Sequence, residues 1–517
     1  MTATPPPRRA LGLVLAVTSV VALGLGLTAC APPDKGASPS ASAPVDGGTL
    51  RVAAPGSAKD KIDPNINSGS VIDLLRTEQI YDNLTKYDSD SKLTYQLAES
   101  MESNAAGDVW TIHLRPGVTF HDGSTFGAED VIATIKRVIA PDSAANGKSL
   151  LGFITADGLT QIDDLTVEVH LDQPYGPFPE IWTNKYLRIG SSDIDAGGVP
   201  HGTRPFVVAA GPPRTSSTFT KDADDWGCKA PGDTPDNLAL AVESPAHHGA
   251  SGGQRRTPRG PRERGRRRFD DLPGISILDS ETGMYLPIVM RTDVAPYNDP
   301  RVREAFKLIV DRQEMVDVAL NGYGAVANDY VGRYSSCGDP DLPQREQDID
   351  KAKELLTEAG QSNLQVEIAV TNGTAGMVEA AQVFAEQAKK AGVTVEVNNM
   401  DASVYLDNYL NWPLTVDFYT DIYLQLATRT LTPGASSNVT HWDNPEFLSL
   451  LNTAFETPDA DARCAIENQM KAVEYKDSGN IVWGWANVVN AYADNVHGLT
   501  PDTTGKAVNR LNLVWLG

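Results

Sequence analysis

The residues of this chain best suited to chemistry are its eight histidines and four cysteines. His121 and Asp122 are adjacent and could act as a base and its orienting carboxylate, but with Gly123 they form a triplet typical of a turn between a strand and a helix. His247 and His248 are also adjacent, and adjacency alone does not make a pair of metal ligands. The sequence holds no G-x-S-x-G, P-loop, HExxH or CxxC motif. These motifs therefore identify no catalytic residue, and we expect no metal site and no cofactor.

Cys30 is a cysteine whose neighbours indicate a chemical role. Arg8 and Arg9 precede an apolar run over residues 11–27, as in an export signal. Residues 27–30, Leu-Thr-Ala-Cys, resemble the lipobox of bacterial lipoproteins, in which the Cys thiol receives a diacylglycerol and becomes the first residue after cleavage. A plain spanning helix or an ordinary cleaved signal is the alternative, since about 17 apolar residues are the lower limit for crossing the hydrocarbon. We expect residues 1–29 to be a lipoprotein signal peptide and Cys30 to carry the lipid anchor.

Residues 30–46 are rich in Pro, Ser, Ala and Gly and cannot bury a core, so they are expected to form a flexible tether. The tether would hold a folded body at the outer face of the cell membrane. The formal net charge of −23 argues against a nucleic-acid partner, because phosphate would be repelled. The length of 517 residues leaves room for two or three domains.

The other three cysteines are Cys228, Cys337 and Cys464, an odd number that cannot pair completely. Cys337 and Cys464 could form a disulfide in an oxidising compartment, or all three could be buried or free thiols. The sequence leaves both alternatives open, because it does not measure the separation of the two residues.

The N-terminal half shows regular spacing of apolar residues. The spacing of Val71, Leu74, Leu75 and Ile80 is close to helical. In "VWTIHL", residues 109–114, apolar and polar residues alternate, which predicts a half-buried strand. A helix follows the turn at residues 121–123, and its predicted cap is the side chain of Ser124 or Thr125.

In the C-terminal half, helices and strands alternate. Asp299 is a predicted N-cap with Pro300 at the first helical position, and Gly360 and Gly392 are predicted to close two further helices. Between and after these helices, "LQVEIAV" and "VTVEV" are predicted strands, and "NIVWGWANVVNAY" and "VNRLNLVWL" are the last ones. This β-α-β order predicts an α/β region whose sheet is at least partly parallel.

Several of these segments together resemble the family 5 extracellular solute-binding proteins, the oligopeptide-, dipeptide- and nickel-binding lipoproteins of bacterial ABC importers. The segments are "GGTLRVA", "IYDNLTKYD", "LAES", "WTIHLRPGVTFHDGSTFGAEDVIATIKRV" and "DPRVREAFKLIVDRQEMV". The resemblance implies an α/β, two-lobed periplasmic-binding-protein-like fold (type II, cluster C) with an extra subdomain in the first lobe.

The resemblance also implies a division of the chain into parts. Lobe I would consist of residues 47–81, 201–290 and 481–517, the extra subdomain of residues 82–200, and lobe II of residues 291–480. Within the return of lobe I, residues 228–268 break the family pattern, and Arg fills eight of the fourteen positions from 255 to 268. We interpret this segment as out-of-frame sequence or as a solvated insertion; a nucleic-acid-binding or membrane-binding run is the third reading.

By position in the family, the candidate ligand-binding residues are Tyr419, Asp421, Tyr423, Trp483, Trp485 and Asn487. Aromatic rings give large apolar contacts, and a carboxylate can pair with a ligand amine. Trp483 and Trp485 are expected to share one face of their strand. The family's Asp-containing motif for the peptide amine is not matched by "DFYTDIYLQLATRT", although Asp421 could substitute for it.

The resemblance therefore predicts a monomeric binding protein, not an enzyme. It would capture a small solute, first of all short peptides, between two lobes and deliver it to an ABC permease with its ATPase. Nickel chelates, oligosaccharides and other small organic solutes are alternative ligands. A surface lipoprotein hydrolase and a sensory binding protein without a transport role are the competing functions.

Overall fold

The computed structural model describes residues 47–54, 56, 60–67, 70–89, 91–194, 201–210, 216–222, 225–227, 236–242, 273–333, 337–372, 374–420, 422–504 and 511–517. Cys30, Cys228, Asp421, the signal peptide, the whole tether and most of the segment 228–268 lie outside the described residues.

The strands of the described residues, β1 to β20 in chain order, are Thr49–Ala54, Thr85–Tyr87, Leu93–Tyr95, Ala98–Ser103, Val109–Leu114, Ile154–Asp163, Thr166–Leu171, Phe206–Ala210, Ser216–Lys221, Asn237–Val242, Ile275–Tyr285, Ile288–Met290, Gly324–Val326, Gln365–Thr371, Thr394–Met400, Leu414–Val416, Asn480–Ile481, Gly484–Ala493, Val496–His497 and Trp515–Leu516. The helices, α1 to α11, are Val71–Ile80, Ala128–Ile139, Phe178–Ile181, Pro300–Ile309, Arg312–Ala319, Ile349–Glu358, Met377–Lys390, Ala402–Asp407, Tyr423–Thr430, Pro445–Phe455 and Ala460–Asp477.

The first sheet has the order β1-β10-β9-β8, with β1 parallel to β10 and the other neighbours antiparallel. Strand β10 lies within the segment 228–268, which was interpreted as out-of-frame sequence or a solvated insertion, and the solvated interpretation is wrong for residues 237–242. Leu238 and Leu240 are fully buried and alternate with Ala239 and Ala241, which face the other side. This part of the segment is therefore a core strand.

Helix α1 packs beside this sheet, but its buried face differs from the predicted one. Ile72, Leu75 and Ile80 are buried in the core that the sheet shares, whereas Val71 is 52% exposed. Ser70 caps the helix by accepting a hydrogen bond from the backbone of Asp73. The helix begins at Val71, and an exposed first residue costs little burial there.

The second sheet, β4-β5-β7-β6, is antiparallel throughout. Its strand β5 buries Trp110, Ile112 and Leu114, as the alternation predicts. Helix α2 contacts β6 and β7, and its cap differs from the expected Ser124 or Thr125. The N-cap is Gly127, whose backbone N–H donates a hydrogen bond to the Asp130 carboxylate at 2.9 Å. A returning carboxylate therefore replaces the predicted hydroxyl.

The third sheet has the order β15-β14-β16-β12-β17, and β14 is parallel to both β15 and β16. The predicted partly parallel α/β region is thus confirmed. Asp299 caps α4 by accepting from the Arg301 backbone, with Pro300 in the first turn. Gly360 and Gly392, after α6 and α7, have φ of +73° and +82°, the left-handed backbone that helix ends favour in glycine.

The largest apolar cluster lies around this third sheet. Phe306 of α4 and Phe384 of α7 are fully buried in it, with ring centroids 5.7 Å apart. Burial of each such side chain stabilises the fold by about 1.5–3 kcal/mol. Helices α4 to α8 therefore share one core with the third sheet, whereas α9 to α11 pack in a second apolar cluster.

Two antiparallel strand pairs lead from this region into the rest of the chain. Long β11 pairs with β18, and Tyr285 lies opposite Trp485 at the end of that ladder. Immediately beyond, Ile288 of β12 lies opposite Ile481 of β17. The chain thus enters and leaves residues 291–480 through two neighbouring strands.

Cys337 and Cys464 form a disulfide, which decides between the two alternatives for this pair. Their separation of 127 residues means that the bond ties a loop before α6 to the first turns of α11. Among the described residues, no helix combines the length and the apolar character needed to span a bilayer.

Candidate functional site

An aromatic cluster lies at the strand crossing, where β11 and β12 lead into residues 291–480 and β17 and β18 lead out of them. Tyr285, at the end of β11, forms an isolated antiparallel bridge with Tyr419, with both backbone hydrogen bonds at 3.1 Å. The Tyr285 ring centroid lies 5.6 Å from that of Tyr419 and 5.6 Å from that of Trp485. Tyr330 adds a further ring, 6.3 Å from Trp485. Each tilted or edge-on aromatic pair contributes about 0.5–1.5 kcal/mol beyond its buried area.

A buried carboxylate lies beside this cluster. Asp417 is 3% exposed and accepts hydrogen bonds from the hydroxyls of Tyr409, at 2.6 Å, and Tyr419, and from the backbone of Phe418. Burial raises the pKa of Asp417, and the hydrogen bonds that its charged form accepts, led by the one from Tyr409, oppose the shift. Asp417 therefore fixes the orientation of the Tyr419 hydroxyl.

Two neighbours of this buried layer are exposed. Phe418 is 46% exposed, and the Arg429 guanidinium lies 5.7 Å from the Tyr419 ring centroid. A cation over a tyrosine face is attracted by the ring quadrupole. The ring of Phe418 and the side chain of Arg429 are therefore exposed beside the buried Tyr419.

Tyr423 belongs to the same cluster but is directed to its interior. It is 1% exposed, and its hydroxyl donates to the Glu474 carboxylate at 2.6 Å. The other Glu474 oxygen accepts from the backbone of Val331 at 3.2 Å. Burial raises the pKa of Glu474 to about 8, against the opposing effect of the Tyr423 hydrogen bond. The Lys471 ammonium lies 5.1 Å from the Tyr423 ring centroid.

The structure brings only part of the predicted ligand set together. Tyr419, Tyr423 and Trp485 share the aromatic cluster, whereas Trp483 lies in the apolar core around the third sheet. The expectation that the two tryptophans share a strand face is wrong, because the strand is interrupted between β17 and β18 and Trp483 lies in the interruption.

The remaining two predicted residues differ in what can be said of them. Asn487 donates through its side-chain amide to the Asp279 carboxylate at 2.7 Å, across the β11–β18 ladder. Asp421 lies outside the described residues. The residues that sequence reasoning missed are Tyr285, Tyr330, Asp417 and Glu474. Their signal was weak, because their partners are distant in sequence.

A separate cavity of about 400 Å³ lies between β3–β5, α3 and the start of α11. Its wall includes Tyr95, Trp110, Glu180, Pro458 and Arg463, and none of the six predicted ligand residues. The described residues contain no group of three or more His, Cys, Asp or Glu side chains arranged to hold a metal ion.

Two binding proteins are similar in sequence to this chain over most of its length. The glutathione-binding protein GsiB of Pectobacterium atrosepticum is 24% identical over 475 residues, which cover 84% of this chain and 86% of the relative. The di/tripeptide-binding protein 4 of Pseudomonas aeruginosa is 24% identical over 447 residues, covering 78% and 83%. These relatives are binding proteins, not enzymes.

A solved structure shows the fold. The ABC transporter-associated periplasmic binding protein DppA from Helicobacter pylori, in complex with the peptide STSA, superposes with a TM-score of 0.71 at 21% identity. The alignment covers 91% of this chain and 98% of DppA. The predicted two-lobed, type II periplasmic-binding-protein-like fold is confirmed.

The family model of the bacterial extracellular solute-binding proteins, family 5 (middle region), matches residues 92–440, more than half of the chain. The chain belongs to the family 5 bacterial extracellular solute-binding proteins.

Proposed function

We propose that the chain is a lipid-anchored receptor that captures short peptides between two lobes and passes them unchanged to an ABC permease with its ATPase. The observation that carries this proposal is the aromatic cluster at the strand crossing, in a chain of this family. A ligand held there would contact both residues 291–480 and the rest of the chain. Only a ligand that binds the closed state more tightly than the open state can close the protein.

The proposed lobe boundaries fall at the strand crossing. Residues 291–480 would be lobe II, and residues 47–81, 201–290 and 481–517 lobe I, with residues 82–200 as its extra subdomain. The third sheet and its core lie within 286–483, and the first sheet within the earlier residues. This arrangement supports a hinge at the crossing, since two adjacent strands can bend without breaking either core.

Short peptides are the solute class that the site favours. The relatives named above bind glutathione and di- or tripeptides, all of which carry an ammonium, amides and a carboxylate. The exposed Arg429 suits the carboxylate. Asp417 is already satisfied by Tyr409, Tyr419 and a backbone N–H, so Asp421 is the proposed partner of the ammonium.

The predicted aromatic residues then have distinct roles. Trp485 and Tyr419 would contact the solute through the cluster that they share with Tyr285, and Tyr423 would support them from Glu474. Trp483 would serve the core of lobe II, and Asn487 would fix the β11–β18 ladder through Asp279.

The binding test uses the mature protein and isothermal titration calorimetry with glutathione, glycyl-leucine and trialanine. At least one should bind, and Trp485→Phe should weaken its affinity by about tenfold, which corresponds to about 1.4 kcal/mol. Trp483→Phe is the matched control: it should lower stability and leave affinity unchanged. Absence of binding by all three peptides, together with a co-purifying nickel chelate or sugar in mass spectrometry, would refute the peptide proposal.

The anchor has its own test. We propose that Cys30 receives a diacylglycerol, becomes the first residue when residues 1–29 are then removed, and holds the protein on the outer membrane face as a monomer. Intact-mass analysis should find the lipid on Cys30, and Cys30→Ser should release the protein from the membrane fraction. An unmodified Cys30 in membrane-extracted protein would contradict the lipoprotein assignment.

A further inference from the structure

Two segments far apart in sequence meet outside the aromatic cluster. Residues 175–180, which lead from β7 into α3, contact the turn between α10 and α11. The Gly176 backbone N–H donates to the Phe455 carbonyl oxygen at 2.6 Å, and the Tyr175 ring centroid lies 5.1 Å from that of Phe455. We call the set Tyr175, Gly176, Glu180, Phe455, Thr457 and Arg463 the inter-lobe contact.

The approach at Gly176 excludes any side chain. A Cβ added there would lie 2.1 Å from the Thr457 carbonyl oxygen, far inside van der Waals distance. Gly176 does not have a positive φ, so alanine can adopt its backbone conformation. Glycine is needed here for close approach to lobe II, and not for the local fold.

A buried ion pair lies in the same contact. Arg463 donates through Nη2 to the Glu180 carboxylate, and the two side chains are 4% and 11% exposed. Arg463 also donates through Nη1 to the carbonyl oxygens of Thr457 and Pro458, at 2.9 and 3.1 Å. Charges removed from water are costly when unpaired, so separation of Glu180 from Arg463 requires that water reach both.

Arg463 is fixed to lobe II by its own helix. The next residue, Cys464, is joined by a disulfide to Cys337, and the Lys471 ammonium donates to the Gly338 carbonyl oxygen at 2.8 Å. Glu180 and Gly176 belong to the segment 82–200. Residues 291–480 are continuous with the rest of the chain at their two ends, and β13 pairs with β18 beside that junction. The inter-lobe contact is a further, non-covalent tie at a different place, as is the hydrogen bond from Asn184 to Gln425.

We propose that the inter-lobe contact is a latch: the extra subdomain grips the start of α11 when the lobes close and releases it when they open. The latch rests on the two-lobe closure of the proposed function. It gives the subdomain a role in setting the lifetime of the closed state, separate from contact with the solute.

The test uses the full mature chain, with and without trialanine or glutathione at about 1 mM as probes. Hydrogen exchange and X-ray scattering are the two measurements. Gly176→Ala should speed exchange of the residue 176 amide by about tenfold or more and enlarge the radius of gyration. Gly152→Ala is the matched control, because its Cβ would have an ordinary 3.6 Å contact with the Ser149 carbonyl oxygen.

A charge exchange gives a second, independent reading. Glu180→Arg and Arg463→Glu should each loosen the contact as Gly176→Ala does, and the double variant should restore slow exchange and the smaller radius. Circular dichroism verifies that each variant is folded.

Two results would overturn the latch. One is a residue 176 amide in the parent protein that exchanges freely in every condition. The other is faster amide exchange at residue 176 in the variants with no increase in the radius of gyration. That result would show that the contact is permanent packing that does not open with the lobes. A probe that binds the parent without reducing its radius of gyration would contradict the proposed closure. A probe that reduces the radius equally in the parent and in Gly176→Ala would also contradict the latch, so the two failures remain distinguishable.

Discussion

The two ends of helix α11 carry buried charges of the same kinds in opposite settings. At its first turns, Arg463 and Glu467 face the extra subdomain and its Glu180. Near its end, Glu474 is enclosed by Tyr423 and the Val331 backbone, all within residues 291–480. The first set thus has one partner, Glu180, within residues 82–200, whereas the partners named for Glu474 all lie within residues 291–480.

This difference shows how one helix can serve stability and motion together. The partners named for Glu474 lie within residues 291–480, so this end can stabilise the proposed lobe II whether the proposed lobes are open or closed. At the outer end, the ion pair of Arg463 with Glu180 exists only while residues 82–200 contact α11, whereas the bonds from Arg463 to Thr457 and Pro458 do not depend on that contact. The free energy contributed by this end therefore depends on the proposed closure, and that contributed by Glu474 does not.

The largest effect is expected from the disulfide that holds the outer end of α11 in lobe II. Cys337→Ser with Cys464→Ser frees a cross-link over 127 residues and should lower the free energy of unfolding by about 4 kcal/mol. Urea unfolding of the variant and of the reduced parent should agree with each other. A loss below about 1 kcal/mol in both would show that the bond does not constrain this helix.

Glu474→Ala should come next, with a loss of about 3 kcal/mol, because the Tyr423 hydroxyl and the Val331 N–H would be left buried without their acceptor. Glu474→Gln keeps the shape and one acceptor and should cost about 1 kcal/mol. Equal losses for the two variants in urea unfolding would contradict the hydrogen-bond argument. Neither variant should alter exchange at Gly176.

Glu467 should make stability depend on pH. Burial, then Glu180, raises the pKa of Glu467 to about 7, against Lys471 and Arg463 of its own helix; Tyr87 of β2 faces it as well. An acid whose pKa is raised in the folded state binds its proton more tightly there. The stabilisation is thus full at low pH and is lost as the pH rises through about 7.

Glu467→Gln should therefore reduce the fall in unfolding free energy between pH 5 and pH 7.5 by about 2 kcal/mol. Glu474, whose pKa is raised to about 8, should still contribute in the variant. A pH profile identical to that of the parent would show that Glu467 does not titrate in this range.

The smallest effect connects the two ends. Opening the inter-lobe contact with Gly176→Ala removes Glu180 from Glu467 and lets water in, so the pKa of Glu467 should fall toward its ordinary value. The pH dependence assigned to Glu467 should shrink by about 1 kcal/mol, while that of Glu474 stays. Equal changes at both carboxylates would mean that the helix ends are not separate.

Local chemistry made much of the fold predictable. Asp299 followed by Pro300 defines a helix start by itself, and the alternation in β5 identifies a half-buried strand. The cap of α2 was missed because Asp130 reaches back to Gly127, a contact that competes with the nearby hydroxyls. Strand β10 was missed because the composition of residues 243–268 obscured a short alternating stretch beside it.

The site was less predictable, since it depends on distant pairs. Trp483 and Trp485 differ by two positions, yet a break in the strand places them in different cores. Glu180 and Arg463 are 283 residues apart, and nothing local to either residue indicates the other. Asp417 looked like any acidic residue until Tyr409 and Tyr419 were seen to enclose it.

The most direct test of solute capture by lobe closure is X-ray scattering of the mature protein during titration with trialanine and glutathione. One of the two peptides should shrink the radius of gyration in step with its binding isotherm, and Trp485→Phe should move both curves to higher concentration together. A peptide that binds tightly and leaves the radius unchanged would contradict capture by closure.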